Sequence, residues 1–257
     1  MSNLEGEVVF VTGASSGIGT ACARTFAREG ARLLLAARRE KRLRALKADL
    51  RGLGAAEVRT LLLDVRSEAD VSRAVDDLPS PWREVEVLVN NAGLSRGLAP
   101  LQSGDLNDWN EMIDTNIKGL LHVDRAITPW MVRRGRGTVI HIGSVAGRQV
   151  YPGGSVYCAT KHAVRAITDG LRIDLLGSGV RVCSIDPGMV ETEFSLVRFH
   201  GDAKRAAEVY NGMTPLAGED IAEAALFVAT RPPHVSIAEM LVYPTDQASA
   251  IHVHRKG

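Results

Sequence analysis

Seven short apolar runs, separated by six longer amphipathic stretches, leave this chain few folds to choose from. The runs lie at 8–11, 33–37, 58–63, 87–89, 139–142, 180–185 and 240–242. Between them are stretches with helical spacing at about 17–29, 39–51, 67–78, 105–134, 154–177 and 218–230. Apolar runs that do not alternate with polar residues suit strands covered on both faces. Strand–helix alternation of this kind predicts an α/β domain: a doubly wound parallel sheet of about seven strands, helices on both faces, right-handed crossovers. No repeat, low-complexity tract or linker divides the chain, so a single domain is expected over 1–257. The irregular stretch at about 187–216 follows the sixth strand. It falls near the strand C-termini, where open sheets bind ligands, and is a candidate substrate lid.

Composition removes several function classes. With 31 basic and 30 acidic residues the formal charge is +1, so no global field points to nucleic acid or a membrane surface. No apolar run reaches the length of a membrane span. The opening Met-Ser-Asn-Leu-Glu-Gly-Glu is acidic and runs into the first strand, unlike a secretion signal. Cys22, Cys158 and Cys183 are odd in number, widely spaced and set among apolar residues. Buried free thiols in a reducing cytoplasm are expected of them. His252 and His254 have no acidic or cysteine cluster beside them, so no metal site is expected.

The first strand runs directly into Thr12-Gly-Ala-Ser-Ser-Gly-Ile-Gly19, which opens the first helix. Gly13, Gly17 and Gly19 permit a tight turn and close backbone approach to a pyrophosphate. Ser15, Ser16 and Ile18 complete the loop, and the helix N-terminus supplies N–H donors and a positive dipole. This is a Rossmann-type signature with Gly-x-x-x-Gly-x-Gly spacing. About twenty residues on, where an NAD site carries an acid for the ribose 2′-hydroxyl, stand Arg38 and Arg39. Guanidinium forks match a 2′-phosphate, so NADP is the expected cofactor; Glu40 follows but falls in the helix. Asp64 and Val65 end the third strand, where a short acid can accept from an adenine amine. Asn90, Asn91, Ala92 and Gly93 end the fourth, where small residues let a cofactor lie against the backbone.

Tyr157 and Lys161 are four residues apart in Tyr-Cys-Ala-Thr-Lys, which puts both on one helix face. An ammonium beside a phenol favours phenolate, and such a pair can exchange a proton with an alcohol or carbonyl near neutral pH. Ser144 lies thirteen residues upstream. Alone the pair is compatible with two surface neighbours; the glycine loop and strand-end residues make it part of a constellation.

Taken together, the glycine loop, Asp64-Val65, Asn90-Asn91-Ala-Gly93, Asn116, Ser144, Tyr157-x-x-x-Lys161 and Asp186-Pro-Gly188 resemble the short-chain dehydrogenase/reductase family over essentially the whole chain. Gly147-Arg-Gln-Val-Tyr-Pro-Gly-Gly-Ser-Val-Tyr157, Val190-Glu-Thr-Glu-Phe-Ser-Leu-Val-Arg-Phe-His-Gly-Asp202 and the His252-Val-His-Arg255 tail look like its NADP-dependent serine or 3-hydroxy acid dehydrogenase branch. Two departures are visible: Gly143 stands where many relatives have a second serine, and Cys158 follows the tyrosine.

The resemblance implies roles. Tyr157 would exchange the proton of the substrate oxygen, and Ser144 would polarise that oxygen. Lys161 would lower the Tyr157 pKa and bind the nicotinamide ribose, and Asn116 would help hold a water for proton relay. Pro187, Gly188, Val190 and Thr192 would line the nicotinamide side. Arg148 and Arg198 are the candidate partners of a substrate carboxylate, either of which could instead be a surface or interface arginine. The implied substrate is a short 3-hydroxy acid such as serine or allo-threonine. A reductase of sugars, steroids, ketones or acyl thioesters, and a non-enzymatic nucleotide sensor, are the alternatives. A homotetramer packed through 105–134 and 154–177 is implied by resemblance alone.

Overall fold

The computed structural model describes residues 4–256, so the first three residues of the acidic N-terminal segment lie outside it. Seven parallel strands form one sheet in the order β3-β2-β1-β4-β5-β6-β7. They are β1 Val8–Thr12, β2 Arg32–Ala37, β3 Glu57–Leu62, β4 Val85–Asn90, β5 Gly137–Ile142, β6 Val180–Pro187 and β7 Glu239–Val242. The chain winds outward through β2 and β3, then returns to place β4 against β1. The loops at the C-terminal ends of β1 and β4 therefore diverge and leave a crevice, the usual ligand position in open α/β sheets.

Both sheet faces are covered, which is why the strand sequences read as continuous apolar runs. On one face, α1 Gly17–Arg28, α2 Glu40–Gly52 and α9 Gly218–Ala229 pack Phe26, Leu43, Leu50 and Ile221 against Val9, Leu33, Leu35, Ile140 and Ile185. On the other, α3 Glu68–Asp76 and α5 Leu120–Arg134 pack Val71, Val75, Val123, Ile127 and Met131 against Phe10, Leu34, Leu88 and Val139. Helix α6, Ser155–Asp174, adds Leu171 to this second face. The three cysteines are buried and unpaired.

Two regions depart from simple periodicity. The single helix expected at 105–134 is two: α4 Leu106–Ile113 and α5, joined by a π-helical turn, Asp114–Gly119. The turn carries Asn116. The buried amide accepts from Leu94 N at 2.9 Å and donates to Leu94 O at 2.8 Å and Thr160 Oγ1 at 3.1 Å. The stretch expected as irregular at 187–216 contains α7 Phe194–Arg198 and α8 Ala203–Glu208. It is tied down within and at its ends: Arg96 Nη1 donates to Val197 O at 2.7 Å, and Val190 bridges Leu216.

A line of buried polar groups runs through the middle of the sheet. Thr12 Oγ1 donates to Asn90 Oδ1 at 3.1 Å, and Asn90 Nδ2 to Asp124 Oδ1 at 3.0 Å. Asp124 meets His141 Nε2, whose Nδ1 lies 2.8 Å from Thr168 Oγ1 on α6. Each member has a partner, as interior polar groups require.

Candidate active site

At the crevice lies a cleft of about 350 Å³ that gathers most of the residues expected from sequence. Gly13, Ser15, Ser16, Gly17, Ile18, Arg38, Arg39, Asp64, Val65, Asn91, Ala92, Gly93, Ser144, Tyr157, Lys161, Pro187, Gly188, Val190 and Thr192 all line it. Thr12, Gly19, Asn116, Arg148 and Arg198 are not among its lining residues.

The glycine loop is shaped by close approaches. Gly13 has φ +64° and Gly17 +51°, conformations that favour glycine. A side chain on Gly19 would collide with the Gly13 carbonyl and stand 2.7 Å from Asn91 Nδ2. Helix α1 begins without a side-chain cap or an acid in its first turn, so its leading N–H groups are available to an anion. Thr12 proves to be a strut beneath the loop: fully buried, its hydroxyl accepts from Asn91 N at 2.9 Å and Ala92 N at 3.0 Å.

The arginine end is an ionic lattice. Arg39 donates from Nε to Ser15 Oγ at 3.0 Å, from Nη2 to Ser16 Oγ at 2.6 Å, and from Nη1 to Glu193 at 2.8 Å. Arg42 reaches both Glu193 oxygens at 2.6 Å. Arg38 lies 3.8 Å from Glu111, which also holds Arg96 at 2.7 Å. Asp64 is clasped by Arg66, at 2.6 and 3.0 Å. Glu193, Arg42 and Arg96 were not anticipated. The only local hint was an acid, Glu193, beside Thr192; its partners lie more than 150 residues away in sequence.

Ser144 leaves the end of β5 in extended conformation and accepts from Ala146 N, which fixes its hydroxyl at the cleft wall. Tyr157 and Lys161 follow on the first turns of α6, both buried. Burial pushes the Tyr157 phenol above its ordinary value, opposed first by the Arg198 charge and then by a hydrogen bond with Ser144. Lys161 is anchored to the end of β5. Its Nζ donates to Ile142 O at 2.8 Å, and burial pushes the amine down to about 8. The cation facing the phenol is Arg198, its guanidinium 5.4 Å from the ring centroid. The side-chain amide of Asn116 is engaged by Leu94 and Thr160.

The two candidate arginines separate cleanly. Arg148 is held away from the cleft, paired with Asp186 at 2.9 Å and with Glu239. It braces the ends of β6 and β7. Asp186 in turn explains Gly143: a side chain there would run into the Asp186 carboxylate and Ser184 Oγ. Arg198 lies beside the cleft, donating to Ser95 Oγ at 3.1 Å and Tyr151 OH at 3.0 Å. Its guanidinium is 4.9 Å from the Phe194 centroid. Among the described residues no carboxylate is ion-paired with it.

This crevice, with its glycine loop and the Ser144–Tyr157–Lys161 wall, defines a dinucleotide-dependent dehydrogenase. The chain belongs to the short chain dehydrogenase family, whose pattern matches residues 7–201. It is 47% identical over 250 residues to an NADP-dependent 3-hydroxy acid dehydrogenase of Salmonella typhi, covering 96% of this chain and 99% of that one. It is likewise 47% identical over 251 residues to sulfoacetaldehyde reductase 2 of Chromohalobacter salexigens, covering 97% and 99%. The closed form of a serine dehydrogenase complexed with NADP+ superposes with a TM-score of 0.90 at 43% identity, covering 97% of this chain and all of that one.

Proposed function

We propose that this NADP-dependent dehydrogenase moves hydride between its cofactor and a short 3-hydroxy acid of the serine or allo-threonine type. Ser144, Tyr157, Lys161 and Asn116 serve the reaction. The residues present suit NADP: an uncapped helix start and close-approach glycines for the pyrophosphate, Arg38, Arg39 and Ser15 for the 2′-phosphate. Bound NADP supplies the acceptor or donor of hydride. The chain holds the substrate and moves the proton.

In the oxidation direction Tyr157, as the phenolate, takes the proton of the substrate hydroxyl as hydride leaves the carbinol carbon and a carbonyl forms. Ser144 donates a hydrogen bond to the same oxygen. Lys161 binds the cofactor ribose and favours the phenolate, and Asn116 helps hold a water near Lys161 that relays the proton onward. The segment at 187–216 acts as the lid.

One observation carries the choice of an acid: Arg198, with no acid partner among the described residues, stands over the Tyr157 ring. A guanidinium there binds a carboxylate two or three bonds from the reacting carbon. A sulfonate would satisfy the same fork, so a sulfonated aldehyde is a second reading, favoured by the sulfoacetaldehyde-reducing relative.

Steady-state kinetics over 3-hydroxy acids, sulfonates and neutral alcohols test both readings. Arg198→Gln should raise KM for the anionic substrates at least tenfold and leave neutral alcohols nearly unchanged, on the strength of a charge-assisted pair. Tyr157→Phe should lower kcat by roughly a hundredfold or more while NADPH still binds. Neutral alcohols outperforming the acids, with Arg198→Gln silent, would refute the assignment.

No described helix is long and apolar enough to cross a membrane. We infer a cytoplasmic homotetramer, supported by apolar side chains left exposed on α4–α5 (Leu106, Leu121, Val132) and on and just beyond α6 (Ile173, Leu176).

A further inference from the structure

Glu193 stands at the start of the lid segment and reaches across the cleft mouth to two arginines of the cofactor side. All three Arg39 nitrogens are engaged: Nε and Nη2 by Ser15 and Ser16 of the glycine loop, Nη1 by Glu193. Ser15, Ser16, Arg39 and Glu193 line the cleft; Arg42, on the first turn of α2, does not. A 2′-phosphate bound to Arg39 and Ser15 would therefore meet a carboxylate already seated on its principal cation. Two anions cannot share one guanidinium fork without like-charge repulsion, and a dianion makes that repulsion stronger. Arg42 offers the way out, because it holds both Glu193 oxygens at 2.6 Å independently of Arg39.

Building on the NADP assignment, we propose that Glu193 sets cofactor discrimination: its carboxylate is an internal surrogate for the 2′-phosphate on Arg39 and transfers wholly to Arg42 when the phosphate binds. Arg42 is thus a positioning residue that never needs to touch the cofactor. The exchange also ties cofactor identity to the lid, since Glu193 immediately precedes α7. A cofactor without the 2′-phosphate leaves Glu193 on Arg39.

Binding titrations with 2′-phospho-ADP-ribose and ADP-ribose test this without turnover, because the two probes differ only at the phosphate. Glu193 is partly exposed, and Glu193→Gln keeps its shape while removing its charge. That variant should bind 2′-phospho-ADP-ribose about fivefold or more tightly than wild type, with ADP-ribose changed less than about twofold, and the gain should shrink as salt rises. Arg42→Ala should weaken 2′-phospho-ADP-ribose in the wild-type background by more than it does beside Glu193→Gln, since with no carboxylate to park the arginine loses its task. Glu193→Gln weakening the phosphorylated probe, or shifting both probes alike, overturns the proposal while leaving the NADP assignment intact. Wild-type protein with no preference for 2′-phospho-ADP-ribose over ADP-ribose overturns both.

Discussion

A buried lysine amine carries a cost that its neighbours here do not remove. Lys161 has a single acceptor, Ile142 O, and the Asp186 charge only partly opposes the desolvation that brings its pKa to about 8. That depression from the ordinary value corresponds to roughly 3 kcal/mol against the charged native state. Lys161→Met should therefore abolish turnover yet stabilise the fold at pH 7 by about 1–2 kcal/mol, the lost hydrogen bond offsetting the rest. The pH dependence has a definite sign. Below about 8 the amine is charged in both folded and unfolded chains and the penalty is fully present. As pH rises from there towards the ordinary lysine range, the unfolded chain binds more protons than the native one, so wild-type stability recovers. Urea denaturation across that range should show the advantage of Lys161→Met fading; an advantage constant with pH would contradict it. Sequence spacing was enough to put Tyr157 and Lys161 on one helix face. It could not reveal that Lys161 points to a strand carbonyl while Arg198, from α7, faces the phenol, because both facts depend on contacts distant in sequence.

At the scale of elements, the sheet was legible because strands buried on both faces must be apolar throughout. All seven expected runs fall in strands, with ends shifted by a residue or two. The π-helical turn was not legible. Its surplus residue changes the helical phase between Met112 and the buried face of α5, yet a window spanning both still reads as helical. Asn116 compensates by presenting a donor and an acceptor to Leu94, as a neighbouring strand would. Arg148 is the other element-scale surprise, because Asp186 and Glu239 come from β6 and β7. Removing the guanidinium leaves the buried Asp186 carboxylate without its cation beside Gly143. Arg148→Ala is expected to cost about 3 kcal/mol of stability, by chemical denaturation, while the ratio of kcat/KM for acidic and neutral substrates stays unchanged. A selective loss on the acids would return Arg148 to the substrate site.

For the molecule as a whole, Leu121 and Val132 on α5 and Ile173 on α6 leave apolar side chains exposed on two long helices, a feature that invites association. If the proposed tetramer forms through these helices, replacing Leu121 and Ile173 with lysine should shift sedimentation to smaller species, with the cofactor cleft preserved. A wild-type monomer at micromolar concentration would exclude that assembly. The buried line from Thr12 through Asn90, Asp124 and His141 to Thr168 has a different consequence. It begins under the glycine loop and ends on the helix that carries Tyr157. Both walls of the cleft are thus surveyed from one interior datum. An error at His141, which touches neither wall, would appear as misalignment between them.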